Sequence, residues 1–154
     1  MKTHFVLGLA VTAVTGGLLG SAVRAQQATT TTTSTTTAGG GAASSGVYTA
    51  DQAKRGQTVY VDACAKCHRD DLTGGDSPPL VGDDFLKGWK GKTVGAMFDE
   101  VRMTMPFDSP GRLTPEQYAD VLAYIFSVNK YPAGDKELAH DLAPLQAIQI
   151  DAKP

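Results

Sequence analysis

The sequence predicts an all-α fold of three to five helices. Two segments open with a capping box, in which a threonine and a glutamine three residues later bind each other's backbone N–H groups, at Thr49–Gln52 and Thr114–Gln117. Between them, apolar side chains recur at helical positions i, i+3, i+4 and i+7, at Val94, Met97, Phe98 and Val101. At 154 residues, the chain accommodates one domain.

Residues 1–25 have the pattern of a secretory signal peptide. Lys2 precedes an apolar run, and Val23-Arg24-Ala25 offers a small-residue cleavage site. The alternative is an uncleaved anchor, because the apolar run is about long enough to span a bilayer. The glycines and threonines within it, together with the cleavage site, favour removal. We therefore expect an exported protein that is attached to a membrane only if the leader is retained.

The mature chain is expected to be acidic. The full sequence has 14 Lys and Arg against 16 Asp and Glu, and loss of residues 1–25 removes Lys2 and Arg24 and leaves 12 basic residues, a net charge of −4. A basic face cannot readily be assembled from this composition, so no nucleic-acid partner is expected.

Residues 26–46 are a predicted disordered linker. They consist mainly of Thr, Ser, Ala and Gly, and such a composition cannot bury a hydrophobic core.

The first predicted helix begins at Thr49 and runs through Cys64. A glycine inside a helix costs about 1 kcal/mol relative to alanine, so Gly56 predicts a second helix crossing closely at this point, with Ala123 as its contact. The alternative is a tolerated weak position. The residues on the apolar face are Ala53, Gly56, Val59, Tyr60 and Ala63.

The pentapeptide Cys64-Ala65-Lys66-Cys67-His68 is the attachment signature of c-type haem. Positions i and i+3 share a helix face, so both thiols can reach one edge of a single macrocycle. The imidazole of His68 can then ligate the iron. The alternatives are a zinc site and a redox disulfide. Two cysteines and three histidines, one of them in the leader, argue against a four-ligand zinc site, and no βαβ pattern surrounds the pair as in thioredoxin-like proteins.

Residues 70–84 are rich in Gly, Pro and Asp, which predicts a loop. Within it, Pro78 and Leu80 are expected to cover an edge of the haem. A short helix that contains Trp89 should follow. The indole N–H of Trp89 can only donate, which suits a haem propionate and equally a polar partner in the core.

A further helix begins at Thr93 and should end near Arg102, because Pro106 biases Met105 away from helical geometry. A methionine held in an extended segment by a following proline is a candidate for the second axial ligand. Met103 is the alternative ligand, and both methionines could instead fill gaps in the core.

The last predicted helix begins at Thr114 and should end at Asn129 in left-handed geometry. Residues 139–154 are predicted to be a surface tail. His140 is an alternative iron ligand there, although an exposed tail histidine is favoured. The apolar stripe of the helix comprises Tyr118, Val121, Leu122 and Ile125.

Six short motifs follow one another along the chain: Gly56-x-x-x-Tyr60, Cys64-x-x-Cys67-His68, Pro78-x-Leu80-x-Gly82, Met105-Pro106, Pro110-Gly111-x-Leu113-Thr114 and Ala123-Tyr124-Ile125. In this order they resemble the class I cytochromes c, in the bacterial mono-haem group found with periplasmic dehydrogenases and respiratory chains. The resemblance covers residues 47–138, and it implies a class I cytochrome c fold whose helices wrap around one covalently bound haem. The linker and the tail lie outside the pattern.

The resemblance also implies the site and the activity. His68 and Met105 would be the axial ligands, Cys64 and Cys67 the thioether anchors of one haem c, and the Pro78 carbonyl the acceptor for the other ring N–H of His68. The implied activity is one-electron transfer by Fe(III)/Fe(II) cycling, not an enzymatic reaction. The implied partners are redox proteins: a periplasmic dehydrogenase, a cytochrome complex or a terminal oxidase.

Two alternatives to a free carrier stay open at this point. The chain could be the haem c subunit of a dehydrogenase complex, with the same chemistry. It could also be a haem sensor or a peroxidase-type enzyme, if ligation by Met105 is labile.

Overall fold

The computed structural model describes residues 41–152. The predicted signal peptide, residues 26–40 of the predicted linker and the last two residues of the tail lie outside the described residues. Within 41–152 the structure is helical and contains no strand. Its elements are a 3₁₀ helix (Ala43–Ser45), α1 (Ala50–Ala63), α2 (Ala65–His68), α3 (Gly82–Trp89), α4 (Val94–Thr104), α5 (Pro115–Val128) and α6 (Leu142–Gln146).

The all-α prediction is confirmed, with more helices than the three to five expected. One addition is α2, a single turn that follows a break at Cys64 in the first predicted helix. The other is α6, which forms within the predicted tail. None of the helices in the described region is long and apolar enough to cross a membrane.

The core of the fold is a close crossing of α1 and α5. A Cβ atom on Gly56 would lie 1.8 Å from the carbonyl oxygen of Asp120 and 3.1 Å from Cβ of Tyr124. The predicted close approach at Gly56 is therefore confirmed. The nearest atoms belong to Asp120 and Tyr124, which are four positions apart and share the α5 face that meets Gly56, and not to the expected Ala123. Ala123 is fully buried but is not among the nearest neighbours of Gly56.

An ion pair lies beside this crossing. Asp120 is 8% exposed, and Nε and Nη2 of Arg55 each lie 3.1 Å from one of its carboxylate oxygens. Arg55 Nη2 also lies 2.9 Å from Glu137 Oε1. These hydrogen bonds, first that of Asp120 and then that of Glu137, raise the pKa of Arg55. The bidentate pair fixes α5 against α1.

The capping box of α1 forms only by half. Thr49 Oγ1 accepts a hydrogen bond from the backbone N–H of Gln52 at 3.1 Å, as predicted. The side chain of Gln52 does not reach back to Thr49. It is buried, and it accepts from the Leu138 N–H at 2.6 Å and donates to the Leu138 carbonyl at 2.9 Å. The Gln52 side chain thus binds the backbone of Leu138 in place of the predicted Thr49 N–H. The box of α5, at Thr114–Gln117, is complete.

The described parts of the predicted linker and tail are 41–46 and 139–152, and most of these residues pack against the helices. The Ala43 N–H donates to the Gln149 carbonyl at 2.8 Å, and Ile150 exchanges backbone hydrogen bonds with the turn before α4. The packed region therefore extends beyond both ends of the predicted domain. Its fully buried anchors are Ala43, Leu145 and Ile150.

Gly56→Ala should destabilise the haem-loaded protein by about 1–3 kcal/mol, the usual cost of overpacking. The added methyl group would meet backbone atoms of Asp120, which cannot move aside as a flexible side chain can. Equilibrium unfolding in guanidinium chloride measures the change.

Gly88→Ala is the matched control. Gly88 is exposed within α3, and nothing lies within 4 Å of an added Cβ. This variant should gain about 0.5–1 kcal/mol from helix propensity alone. A Gly56→Ala protein as stable as the wild type would contradict the close crossing.

Candidate haem-binding site

A cavity lies between the Cys64–His68 turn, α5 and the segment that follows α4. Four of the seven predicted site residues line it: Cys64, Cys67, His68 and Met105. The first three belong to the Cys64–His68 turn, and Met105 follows about forty residues later in the sequence, in a different segment. The apolar part of the wall includes Val101, Phe107, Val121 and Ile125.

His68 is nearly buried, at 8% exposure, and its ring orientation is set by a backbone carbonyl. Its Nδ1 lies 2.9 Å from the carbonyl oxygen of Pro78. Because a carbonyl can only accept, this hydrogen bond requires the proton on Nδ1 and leaves the lone pair on Nε2. That is the arrangement of a metal-binding histidine with an orienting partner. Pro78 thus contacts the site through its backbone.

The two cysteines line the same cavity in different surroundings. Cys64 lies at the break between α1 and α2, and its carbonyl accepts from the N–H groups of Cys67 at 3.1 Å and His68 at 3.0 Å. This contact keeps Cys64–His68 as one helical turn. The Cys64 thiol is partly buried, and burial raises its pKa to about 11, against a lowering effect of Arg112. Cys67 is exposed, and both thiols are free.

Met105 is the C-cap residue of α4 and has extended geometry, with φ −122° and ψ 153°. The prediction that Pro106 imposes this geometry is confirmed, although α4 runs to Thr104, beyond the predicted end at Arg102. The Met105 N–H donates to the Val101 carbonyl at 2.8 Å. Met103 is 66% exposed and is not on the cavity wall, so it does not reach the predicted ligand position.

Asn129 connects the end of α5 to the loop after Pro78. Its Oδ1 accepts from the Gly82 N–H at 2.9 Å, and its Nδ2 donates to the Leu80 carbonyl at 2.9 Å. The predicted left-handed geometry of Asn129 is wrong, since its φ is −76° and the left-handed residue is Lys130 at φ 69°. The sequence signal for Asn129 as a helix end gave no indication of these partners, which lie nearly fifty residues away.

Three further candidates lie outside the cavity wall. Leu80 packs against the core, and Trp89 is partly buried with Lys92 Nζ 4.5 Å from its ring centroid, a cation–π contact. Nε2 of His140 lies 3.5 Å from Glu116 Oε1. None of the three is among the lining residues.

The residues on the cavity wall fit a covalently attached haem. Two thiols at i and i+3, an imidazole with its lone pair on Nε2 and a thioether meet one largely apolar space. Cys64 and Cys67 would hold the macrocycle, and His68 and Met105 would hold the iron. Between residues 41 and 152, no group of three or more His, Cys, Asp or Glu could hold a metal ion by itself.

Comparison with known proteins identifies the same region. Residues 51–125 match a family model described as cytochrome C oxidase, cbb3-type, subunit III. The match runs from the first turn of α1 into α5 and includes all four residues named above. Comparisons with curated proteins and with solved structures gave no match. The chain therefore contains a class I c-type cytochrome domain, and covalently bound haem c is its cofactor.

Proposed function

We propose that this protein is a periplasmic mono-haem cytochrome c that carries single electrons from a dehydrogenase to the respiratory chain or a terminal oxidase. The cytochrome domain supports a haem c electron carrier in general. The observation that carries the finer proposal is that His68 and Met105, from two different segments, line the same cavity. If His68 and Met105 both hold the iron, the chain would leave no open position for a substrate, which favours a carrier over an enzyme.

Bound haem c supplies one-electron exchange between ferric and ferrous iron. The chain sets how easily that exchange occurs. A thioether ligand from Met105 together with an imidazole from His68 raises the reduction potential. The apolar wall from α4 and α5 acts in the same direction, because burying the extra positive charge of the ferric state is unfavourable. The Pro78 carbonyl holds the His68 ring in place, so the imidazole would keep the same orientation toward the iron in both oxidation states.

The turn that carries the haem-attachment cysteines lies at the protein surface, which supports a protein partner. Lys66 in this turn is exposed, and Phe107, which follows α4, is 84% exposed. A redox partner can therefore approach the haem attachment edge directly. Electron-transfer partners commonly meet through small interfaces of less than about 1,200 Å² in total.

The predicted signal peptide, residues 1–25, supports export to the periplasm. A retained leader would attach the same domain to the membrane through the predicted linker.

Met105→Leu should convert the ferric iron from low to high spin at neutral pH and lower the midpoint potential, by on the order of 0.1 V or more, since axial ligands set haem potentials over about 0.8 V. Leucine keeps the volume of methionine but has no sulfur. Electron paramagnetic resonance and potentiometric titration measure the two effects.

Met103→Leu is the matched control and should leave both values unchanged, because Met103 is exposed and lies off the cavity wall. A low-spin Met105→Leu protein with the wild-type potential would refute ligation by Met105. High-spin ferric iron in the wild type would instead support the sensor or peroxidase-type alternative.

Replacing both cysteines, Cys64→Ala with Cys67→Ala, should abolish covalent haem and leave a largely unfolded chain. A domain of about a hundred residues buries little core by itself, and the haem supplies part of it. Intact mass and a thermal scan by circular dichroism are the measurements. Cys67→Ala alone keeps one attachment point for the haem, and its thermal stability should lie between those of the wild type and the double variant. A cooperative thermal transition in the haem-free double variant would contradict this coupling of folding to attachment.

The carrier role is tested with membranes and periplasm of the native cell. The ferric protein should be reduced when a dehydrogenase substrate is added, and the ferrous protein should be reoxidised by the terminal oxidase, as followed by haem absorbance. Covalent haem with normal ligation but no electron exchange in either direction would overturn the proposed role. The haem-free double-cysteine variant is the control for background reactions.

A further inference from the structure

The hydroxyl of Tyr118 contacts the backbone of the proposed methionine ligand. Tyr118 lies in the first turn of α5, and its Oη donates to the Met105 carbonyl at 2.7 Å. The side chain is 1% exposed, and its ring packs edge-on against Phe98 of α4, with centroids 6.4 Å apart and planes at 81°. Packing therefore fixes the ring, and the fixed ring directs its hydroxyl to the residue that ends α4.

This hydrogen bond is the main restraint on the carbonyl side of Met105. On the other side, the Met105 N–H is held by the last turn of α4, through the Val101 carbonyl at 2.8 Å. The only other donor to the Met105 carbonyl among the described residues is the Gly111 N–H, at 3.4 Å, which is beyond the usual range of about 2.7–3.2 Å. After the buried Pro106, residues 107–112 are all exposed. Apart from the burial of Pro106, the Tyr118 hydrogen bond is therefore the short contact that holds this segment beside the cavity.

We propose that Tyr118 is a positioning residue for Met105: its hydroxyl holds the Met105 backbone so that the thioether stays at the iron and resists replacement by external ligands. The inference rests on the proposed function, in which Met105 is an axial ligand. An external ligand binds only after the methionine leaves, and displacement of the segment also breaks the bond to Tyr118. The hydrogen bond from Tyr118 therefore lowers the population of the state in which Met105 has left the iron.

The test is the rate at which imidazole binds the ferric, haem-loaded protein. Tyr118→Phe keeps the packed ring and removes only the hydroxyl. Imidazole binding should become faster by roughly two- to tenfold, the factor that corresponds to the net loss of one hydrogen bond. Stopped-flow absorbance at saturating imidazole measures the rate of methionine departure directly.

Tyr48→Phe is the matched control. Tyr48 is 2% exposed, and its hydroxyl donates to the Tyr131 carbonyl at 2.6 Å, a buried bond of the same kind. Neither Tyr48 nor Tyr131 is on the haem cavity wall. Tyr48→Phe should lose stability to a similar extent in guanidinium chloride and leave the imidazole rate unchanged from the wild type. A merely structural role of Tyr118 would make the two variants alike in both measurements.

The outcomes separate this inference from the proposed function. Equal imidazole rates in Tyr118→Phe and Tyr48→Phe, with normal ligation in the wild type, overturn the inference alone. A wild-type spectrum that Met105→Leu leaves unchanged overturns the proposed ligation and the inference together. Site-specific 3-fluorotyrosine at position 118 gives a second measurement if Tyr118→Phe yields little holoprotein. Its more acidic hydroxyl is a stronger donor and should slow imidazole binding, and an unchanged or faster rate would overturn the inference.

Discussion

The close crossing of α1 and α5 is the constraint on which the rest of the structure depends. At Gly56 the two backbones touch, and the Arg55–Asp120 ion pair secures the contact from the side. The end of α1 leads directly into the Cys64–His68 turn, and α5 supplies one wall of the cavity. A change in the distance between these helices would therefore move the anchoring thiols relative to the opposite wall.

The helix α5 also holds the two irregular segments of the site. Tyr118 at its start binds the Met105 carbonyl, and Asn129 at its end binds the loop that follows Pro78. Pro78 in turn orients His68. Loops have few hydrogen bonds of their own, so their buried polar groups need partners from regular elements. Here one helix provides those partners at both of its ends, and each end serves the segment of a different proposed ligand.

The contacts of a side chain could be predicted from the sequence when its partners lie only a few residues away along the chain. The Thr93 cap of α4 and the complete box of α5 involve neighbours within three residues, and both were predictable. The side chain of Gln52 was assigned to the same kind of local box, yet it binds Leu138, far along the chain. The cost of a glycine inside a helix predicted that Gly56 meets another helix. Only the structure shows that the nearest atoms belong to Asp120 and Tyr124. Residues 139–154 were predicted to be a surface tail, and the sequence did not indicate that Leu145 and Ile150 within it are fully buried.

The sequence by itself determined the chemistry of the site. The Cys64-x-x-Cys67-His68 spacing specifies covalent haem, and Pro106 predicts that the thioether of Met105 is carried on an extended backbone segment. These motifs can be recognised from the sequence alone because each depends on residues that are adjacent or one helical turn apart. Only the tertiary structure decided which side chains hold that chemistry in place. Tyr118 and Asn129 act across 13 and 49 residues of sequence. The Pro78 carbonyl, 10 residues from His68, was already an expectation from the family resemblance. The contacts of Tyr118 and Asn129 exist only in the folded chain, because hydrogen bonds between distant segments follow from the fold and leave no local pattern.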